Sequence, residues 1–128
     1  MNIEHIALNV ADARALADWY VKHLGMRIVR AVEESPWTRF IADESGRTVL
    51  EIYQNPKAPV PDYFAMDPMT LHVAFISKDV ACDHDRLLAA GGTPAIARYS
   101  TPTGDEMAFL RDPWGVCIQL IKRARVLL

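Results

Sequence analysis

Two histidines, a glutamate and a glutamine stand at matching places in the two halves of the sequence, and together they could bind a divalent metal. His5 opens the segment HIAL and His72 opens the similar segment HVAF; Glu51 lies in VLEI and Gln119 in the related CIQL. Imidazole nitrogens suit Zn, Ni, Co or Fe, and oxygen ligands leave such a metal free to polarise a carbonyl and stabilise an enediolate. The pattern predicts a metal site with His5, Glu51, His72 and Gln119 as ligands.

The whole chain repeats around these four residues. In each half a strand is followed by a helix that ends at glycine (Gly25 and Gly92), and later by a turn, DESG or DPWG. Repetition at a nearly constant offset indicates a tandem duplication. We therefore expect a single 128-residue domain, 1–128, with module one at 1–54, a proline-rich connector at 55–69 and module two at 70–123.

Hydrophobic periodicity and turn residues predict the elements of each module. Module one has strands at 5–10, 27–33, 37–43 and 48–54, with a helix that Asp12 caps and Gly25 ends. Module two has strands at 71–76, 95–100, 106–111 and 116–121, with a helix that is capped near Asp79 and ends at Gly91-Gly92. The predicted fold class is α+β, with tandem βαβββ modules whose two curved mixed sheets form a cleft with the helices outside.

Alternation along the strands predicts which side chains face the cleft. Ile6, Leu8 and Val10 are expected beneath the helix, and His5 and Glu51 on the opposite face. Alanines beside the two strand histidines leave open space there. His23 and His84 lie on the helices without matching partners and are predicted to be surface residues. Three aromatic residues are predicted to line an apolar pocket: Trp37, Tyr63 and Phe64.

Composition excludes several classes of protein. Hydrophobic residues make up 51% of the chain and charged residues 23%, as in a globular domain. A formal net charge of −2 provides no basic footprint for nucleic acid. Apolar runs are too short to span a membrane, and no signal peptide is recognisable. Two unpaired cysteines, Cys82 and Cys117, favour a cytoplasmic location.

The duplication and the four polar positions resemble the vicinal oxygen chelate superfamily. This superfamily includes glyoxalase I, methylmalonyl-CoA epimerase, extradiol dioxygenases, and fosfomycin- and bleomycin-resistance proteins. The resemblance is carried by HIALNV, LHVAF, WYVKHLGM, DPWG, VLEIYQ and CIQLIKR. It implies a small-molecule substrate, a homodimer, and metal ligands at His5, Glu51, His72 and Gln119.

Glyoxalase I is similar to this chain above all at Glu51, which by that similarity is both metal ligand and catalytic base. Asn55 matches an asparagine that contacts glutathione in that family. Asn9 stands where glyoxalase I has an arginine for a glutathione carboxylate, and Gln119 stands where a glutamate is usual. An amide oxygen can ligate a metal but cannot accept a substrate proton. The resemblance implies a glyoxalase I-like lyase or isomerase acting on a small, hemithioacetal-type carbonyl compound through an enediolate.

Two other functions remain open from the sequence. A metal-free binding protein like the bleomycin-resistance group would hold an apolar ligand among the aromatic residues. An extradiol-type dioxygenase would use two histidines and one carboxylate, the ligand set of non-haem iron oxygenases. Those dioxygenases take their carboxylate from the strand position that Gln119 occupies here.

Overall fold

The computed structural model describes residues 1–127, which form two compact units. The first unit is Met1–Pro61 and the second begins at Asp62, so the boundary falls within the predicted connector. Each unit has one helix and one four-stranded mixed sheet, in the order strand, helix, three strands. This confirms the predicted α+β fold class with two βαβββ modules.

The first unit contains β1 (Ile6–Asn9), α1 (Ala13–Leu24), β2 (Arg27–Ala31), β3 (Arg39–Ala42) and β4 (Val49–Tyr53). Its sheet has the order β1-β4-β3-β2, with β1 and β4 parallel and the other pairs antiparallel. A parallel pair of strands needs a long crossover connection, which α1, β2 and β3 provide. The first and last strands of the module therefore lie side by side.

The second unit repeats this topology. It contains β5 (Val73–Ile76), α2 (Val80–Ala89), β6 (Thr93–Ser100), β7 (Glu106–Arg111) and β8 (Cys117–Lys122). Its sheet has the order β5-β8-β7-β6, and β5 and β8 are the parallel pair. The same path of the chain in both units agrees with the duplication predicted from sequence.

The helices begin at the predicted caps. The side chain of Asp12 accepts a hydrogen bond from the backbone N–H of Ala15, and that of Asp79 accepts one from Cys82, which satisfies free N–H groups of each first turn. Gly25 ends α1 in the left-handed conformation, with φ of 68°. The second helix ends at Ala89, two residues before the predicted glycine pair.

Apolar faces of the helices and strands form the core of each unit. In the first unit Leu16, Tyr20, Ile41 and Ile52 are fully buried. Ile6 is on the predicted face, because it is in register with the buried Leu50, but it is 52% exposed since it begins β1 at the edge of the sheet. The predicted face was therefore confirmed, and the expected burial of Ile6 was wrong.

The prediction that His84 is a surface residue was also wrong. His84 is only 8% exposed, and it lies on the inner face of α2 with Val80 and Leu87. The spacing of these three residues is that of one helix face, so the periodicity contained the signal. Among the described residues 1–127, its Nε2 has no hydrogen-bond partner.

The third strand of module one begins two residues later than predicted. Trp37 has φ of 58°, a left-handed backbone conformation that a strand cannot contain. The strand therefore starts at Arg39, and Trp37 belongs to the loop before it.

Arg111 fastens the start of the second unit to its sheet. Its guanidinium donates hydrogen bonds to the backbone carbonyls of Tyr63 (2.6 Å), Met66 (2.6 Å) and Gly115 (3.2 Å). Gly115 has φ of 93°, and a Cβ there would come within 2.7 Å of the Phe64 ring. Residues 63–66 of the connector, which belong to the second unit, therefore pack tightly on the β7–β8 turn.

We expect Arg111→Ala to lower the free energy of unfolding by about 2–3 kcal/mol, because three carbonyls lose a charged donor. Urea denaturation measures the change. Arg98→Ala is the matched control: Arg98 makes one exposed ion pair with Asp85 at 3.6 Å, so its loss should stay within about 0.5 kcal/mol. Equal losses for the two variants would contradict the fastening role.

Candidate functional site

His5 and Glu51 form a contacting pair on the first sheet. Ala7 on β1 is in register with Glu51 on β4, and His5 lies two residues before Ala7 on the same face. His5 Nε2 is 3.1 Å from Glu51 Oε2, and the Glu51 side chain is 22% exposed. The predicted ligand pair of module one is therefore brought together by the parallel pairing of β1 and β4.

Both ring nitrogens of His5 face carboxylates. Glu4 contacts Nδ1, and Glu51 lies at Nε2. The Glu4 contact, reinforced by the charge of Glu51, raises the pKa of His5. A neutral imidazole has one N–H and one lone pair, so it would turn a lone pair toward one carboxylate. A second proton or a metal cation at Nε2 removes this repulsion.

His72 is held in a tautomer that leaves its other nitrogen available as a ligand. Nδ1 lies 2.9 Å from the carbonyl oxygen of Pro68. A carbonyl only accepts hydrogen bonds, so Nδ1 carries the proton and Nε2 keeps its lone pair in the neutral ring. Metal-binding histidines characteristically have such a partner at the second nitrogen.

Gln119 occupies the position in the second sheet that Glu51 has in the first. Ala74 on β5 is in register with Gln119 on β8, as Ala7 is with Glu51. The Gln119 amide Nε2 lies 3.4 Å from the sulfur of Met107. The amide oxygen, which is the atom of this group that can ligate a cation, takes no part in that contact. The second unit thus presents one nitrogen and one oxygen ligand.

Each strand histidine packs against a phenylalanine in the same way. The His5 ring meets Phe40 edge-on with centroids 5.7 Å apart, and the His72 ring meets Phe109 edge-on at 5.4 Å. Phe40 and Phe109 are at equivalent positions of β3 and β7. The duplication has therefore kept the support of each imidazole as well as the imidazole itself.

Cys117 is buried two residues before Gln119 on β8. Burial raises the pKa of its thiol. Within residues 1–127, neither unit by itself brings three histidine, cysteine, aspartate or glutamate side chains into a metal-binding cluster. Each unit supplies two of the four predicted ligands.

Trp37 and Asn55, two of the predicted substrate residues, line one cavity in the first unit. The cavity measures about 290 Å³ and is lined by nine residues: Val10, Ala11, Ser35, Trp37, Gln54, Asn55, Pro56, Ala58 and Val60. The guanidinium of Arg14 lies 4.3 Å from the Trp37 ring centroid. A cation on the ring face holds the indole in place.

Tyr63 and Phe64 lie in the second unit. Tyr63 is 5% exposed, and Phe64 is 53% exposed with one edge on Gly115. Phe64 is thus the one of the two that presents substantial ring surface. Their contact with a substrate stays a prediction.

The Asn9 side chain hydrogen-bonds the backbone of the connector. Its Nδ2 donates to the carbonyls of Asn55, Ala58 and Pro59, and its Oδ1 accepts the N–H of Asn55 at 2.8 Å. It therefore shapes the loop that lines the Trp37 cavity. A direct contact of Asn9 with substrate stays a prediction.

Arg30 also lies on the face that carries Glu51, and the sequence did not single it out. Period-two alternation places Arg27 and Arg30 on opposite faces of β2. An irregularity between Ile28 and Arg30 shifts the register, so that Arg27 pairs with Ala42 but Arg30 pairs with Phe40. Both arginines therefore lie on the Glu51 face. The register of β6 shifts at the equivalent place, between Pro94 and Ile96. Neither irregularity could be recognised from the residue pattern of its strand.

Residues 2–120 match the family model described as Glyoxalase/Bleomycin resistance protein/Dioxygenase superfamily. No curated protein sequence matches the chain. No helix within residues 1–127 combines the length and apolar character needed to cross a membrane.

Solved structures share the fold over almost the whole chain. The structure of SMU.1112c is 26% identical, with a TM-score of 0.72, and the match covers 95% of this chain and 98% of that one. TnmS3, an antibiotic binding protein from Streptomyces sp. CB03234, is 22% identical with a TM-score of 0.68, covering 97% and 99%. A glyoxalase I mutant from Zea mays is 22% identical with a TM-score of 0.75, covering 97% of this chain but 46% of that one.

Proposed function

Because the chain belongs to the glyoxalase/bleomycin resistance protein/dioxygenase superfamily, we propose that it is a metal-dependent lyase or isomerase of the glyoxalase I type. Its substrate is a small carbonyl compound, and its reaction moves a proton on the carbon next to the carbonyl. The observation that carries this proposal is the contact of His5 with Glu51 at 3.1 Å. This contact places an imidazole that can ligate a metal beside a carboxylate that can act as a base.

The donor set fits a divalent metal. His5 and His72 have Nδ1 occupied by Glu4 and by the Pro68 carbonyl, which directs Nε2 toward a ligand. His5 Nε2 and Glu51 Oε2, which are 3.1 Å apart, are the two donor atoms that the first unit would offer to a metal. We propose His5, Glu51, His72 and Gln119 as the ligands of Ni, Zn, Co or Fe. When bound, the metal supplies a Lewis acid that polarises the substrate carbonyl.

Glu51 is the proposed base. Its carboxylate is the one acidic group among the four proposed ligands, and Gln119 at the matching position cannot take a proton. The His5 contact fixes the orientation of Glu51, and the partial exposure of its side chain leaves room for a substrate carbon to approach. Proton removal and return by one carboxylate is sufficient for an isomerisation.

The substrate class follows from the departures from glyoxalase I. Asn9 replaces an arginine that would bind a glutathione carboxylate, and its amide is engaged by the connector backbone. We therefore propose a hemithioacetal or related hydroxycarbonyl compound whose carrier is not glutathione. By analogy with the superfamily, we also propose that the protein is a homodimer, which light scattering on the purified protein would test. We propose a cytoplasmic location for it as well.

Exchange of substrate hydrogen with solvent deuterium tests the proposed reaction. Protein loaded with Ni, Zn, Co or Fe is mixed with small hydroxycarbonyl compounds, beginning with methylglyoxal hemithioacetals of several thiols. We expect NMR to show deuterium entering at the carbon next to the carbonyl, and chelator-stripped protein to lose at least about 90% of this rate because carbonyl polarisation needs the metal. Equal exchange with and without metal would contradict the proposal.

A metal-free ligand-binding protein is the second candidate function. The cavity lined by Trp37 and the proline-rich connector favours it, because apolar walls and few polar groups are typical of small-molecule pockets. TnmS3, which shares the fold, is an antibiotic binding protein. This candidate predicts ligand affinity that is indifferent to chelator and to Glu51→Gln.

A further inference from the structure

The irregularity in β2 turns Arg30 toward the face of the first sheet that carries Glu51. The residues Arg27 and Ile28 pair with Ala42 and Ile41, but Arg30 pairs with Phe40, so the register shifts by one residue at Val29. In an unbroken register Val29 would pair with Phe40, and Arg30 would point to the helix side. β-Bulges often re-aim a side chain in this way.

Arg30 then stands in one row with the proposed base. Its strand neighbour is Phe40, and Phe40 is in turn in register with Glu51. Neighbouring strands are about 4.8 Å apart, so the backbones of Arg30 and Glu51 are about 10 Å apart. The Arg30 guanidinium lies 5.9 Å from the Phe40 ring centroid, on the strand between them. The Phe40 ring therefore lies between the Arg30 guanidinium and the Glu51 carboxylate on this face of the sheet.

The guanidinium of Arg30 has no acceptor of its own in the part of the chain that the structure describes. Its contact there is the face of Phe40, and the residue is exposed. By contrast, the buried Arg39 next to it uses its donors on two backbone carbonyls and on Glu33 at 2.9 Å. Arg30 thus presents a fork of N–H donors that matches a carboxylate or a phosphate.

The second unit has the same irregularity without the charge. Its register also shifts between Pro94 and Ile96, and Ile96 pairs with Phe109 as Arg30 pairs with Phe40. Ile96 and Gln119 are neutral at the two places where the first unit has Arg30 and Glu51. At these two equivalent positions, the cationic and acidic side chains are therefore found in the first unit and not in the second.

We propose that Arg30 binds an anionic group of the substrate, so that the substrate is a carbonyl compound bearing a carboxylate or phosphate a few bonds from the reacting carbon. This inference rests on the proposed function, because it assigns the substrate class of the same site. Arg30 selects the substrate by charge, while Glu51 handles the proton.

Binding of matched neutral and anionic probes tests this assignment. Calorimetry compares levulinate, a keto acid, with its neutral amide levulinamide, and hydroxyacetone phosphate distinguishes phosphate from carboxylate recognition. We expect the wild-type protein to prefer one of the two anions over the amide by at least about tenfold, and Arg30→Met to remove this preference. Methionine keeps an unbranched side chain over Phe40 but lacks the charge.

Arg27→Met is the matched control. Arg27 is on the same strand and face, but its guanidinium lies at the Gly46 turn, so its loss should leave the preference intact. Equal affinities for anion and amide, a preference that persists in Arg30→Met, or no binding of either anion at about 10 mM would each overturn the assignment.

The binding ratio also separates this inference from the proposed reaction. Glu51→Gln should keep the anion preference, since that residue does not contact the anion. A preference that depends on Arg30 in a protein that exchanges no substrate hydrogen would refute the proposed catalysis and leave the anion site standing. Hydrogen exchange without an anion preference would refute the anion site and leave the proposed catalysis standing.

Discussion

Glu51→Gln is expected to lower the rate of hydrogen exchange at the substrate carbon by about a hundredfold to ten-thousandfold, the usual contribution of a positioned base. The substitution keeps the length of the side chain and an oxygen that can ligate metal, but removes the group that accepts the proton. The exchange rate by NMR and the metal content by mass spectrometry are measured on the same sample. We expect the rate to collapse while most of the metal remains.

Glu33→Gln is the control for loss of a carboxylate in the same unit. Glu33 is 72% exposed and pairs with Arg39, so its replacement should leave exchange unchanged. If Glu51→Gln retained full exchange activity with metal bound, Glu51 would not be the base. A loss of metal together with activity would instead show that Glu51 is needed for metal binding.

The double variant His5→Ala/His72→Ala is expected to lose its metal. These two imidazoles are the nitrogen donors of the proposed set, and even removing residues that merely orient a ligand weakens metal affinity by about tenfold to a hundredfold. Protein expressed without a histidine tag should carry nearly stoichiometric metal in the wild type and only traces in the double variant. Mass spectrometry of the metal after dialysis measures both.

His23→Ala controls for nonspecific loss of imidazole. His23 lies on α1 against the Trp19 ring, with centroids 5.1 Å apart, and is not a proposed ligand. Its removal should leave the metal content at the wild-type level. Equal trace metal in wild type and double variant, even after Ni, Zn, Co or Fe is added, would refute the metal-dependent function and favour a binding protein with the Trp37 cavity as its pocket.

Much of the fold could be predicted because its signals are local. A polar side chain before the first turn, as at Asp12 and Asp79, satisfies helix N–H groups whatever the surroundings. A glycine such as Gly25 relieves a left-handed backbone at the helix end. Because the modules are duplicated, each strand and helix could be predicted from two separate segments of the sequence. Strand and helix order in both units was therefore confirmed, with boundaries shifted by a few residues.

The errors arose where neighbours outweighed the local pattern. His84 was assigned to the surface because it has no matching partner in the other module, but the face of α2 on which it lies packs against the sheet. Ile6 was expected to be buried because strand alternation places it on the helix face, but it begins an edge strand and is exposed. Trp37 fitted a strand by residue type, but its backbone turns left-handed before β3 begins.

The sequence by itself determined the family, the duplicated modules and the residue types available for chemistry, because periodicity and repetition are properties of the chain. Only the tertiary structure decided that His5 contacts Glu51 and that the Asn9 side chain hydrogen-bonds the connector backbone. It also decided that Arg30 lies on the same sheet face as Glu51. Strand register makes the difference. Pairing two strands fixes which side chains meet, and a single extra residue at a bulge reverses the face of those on one side of it.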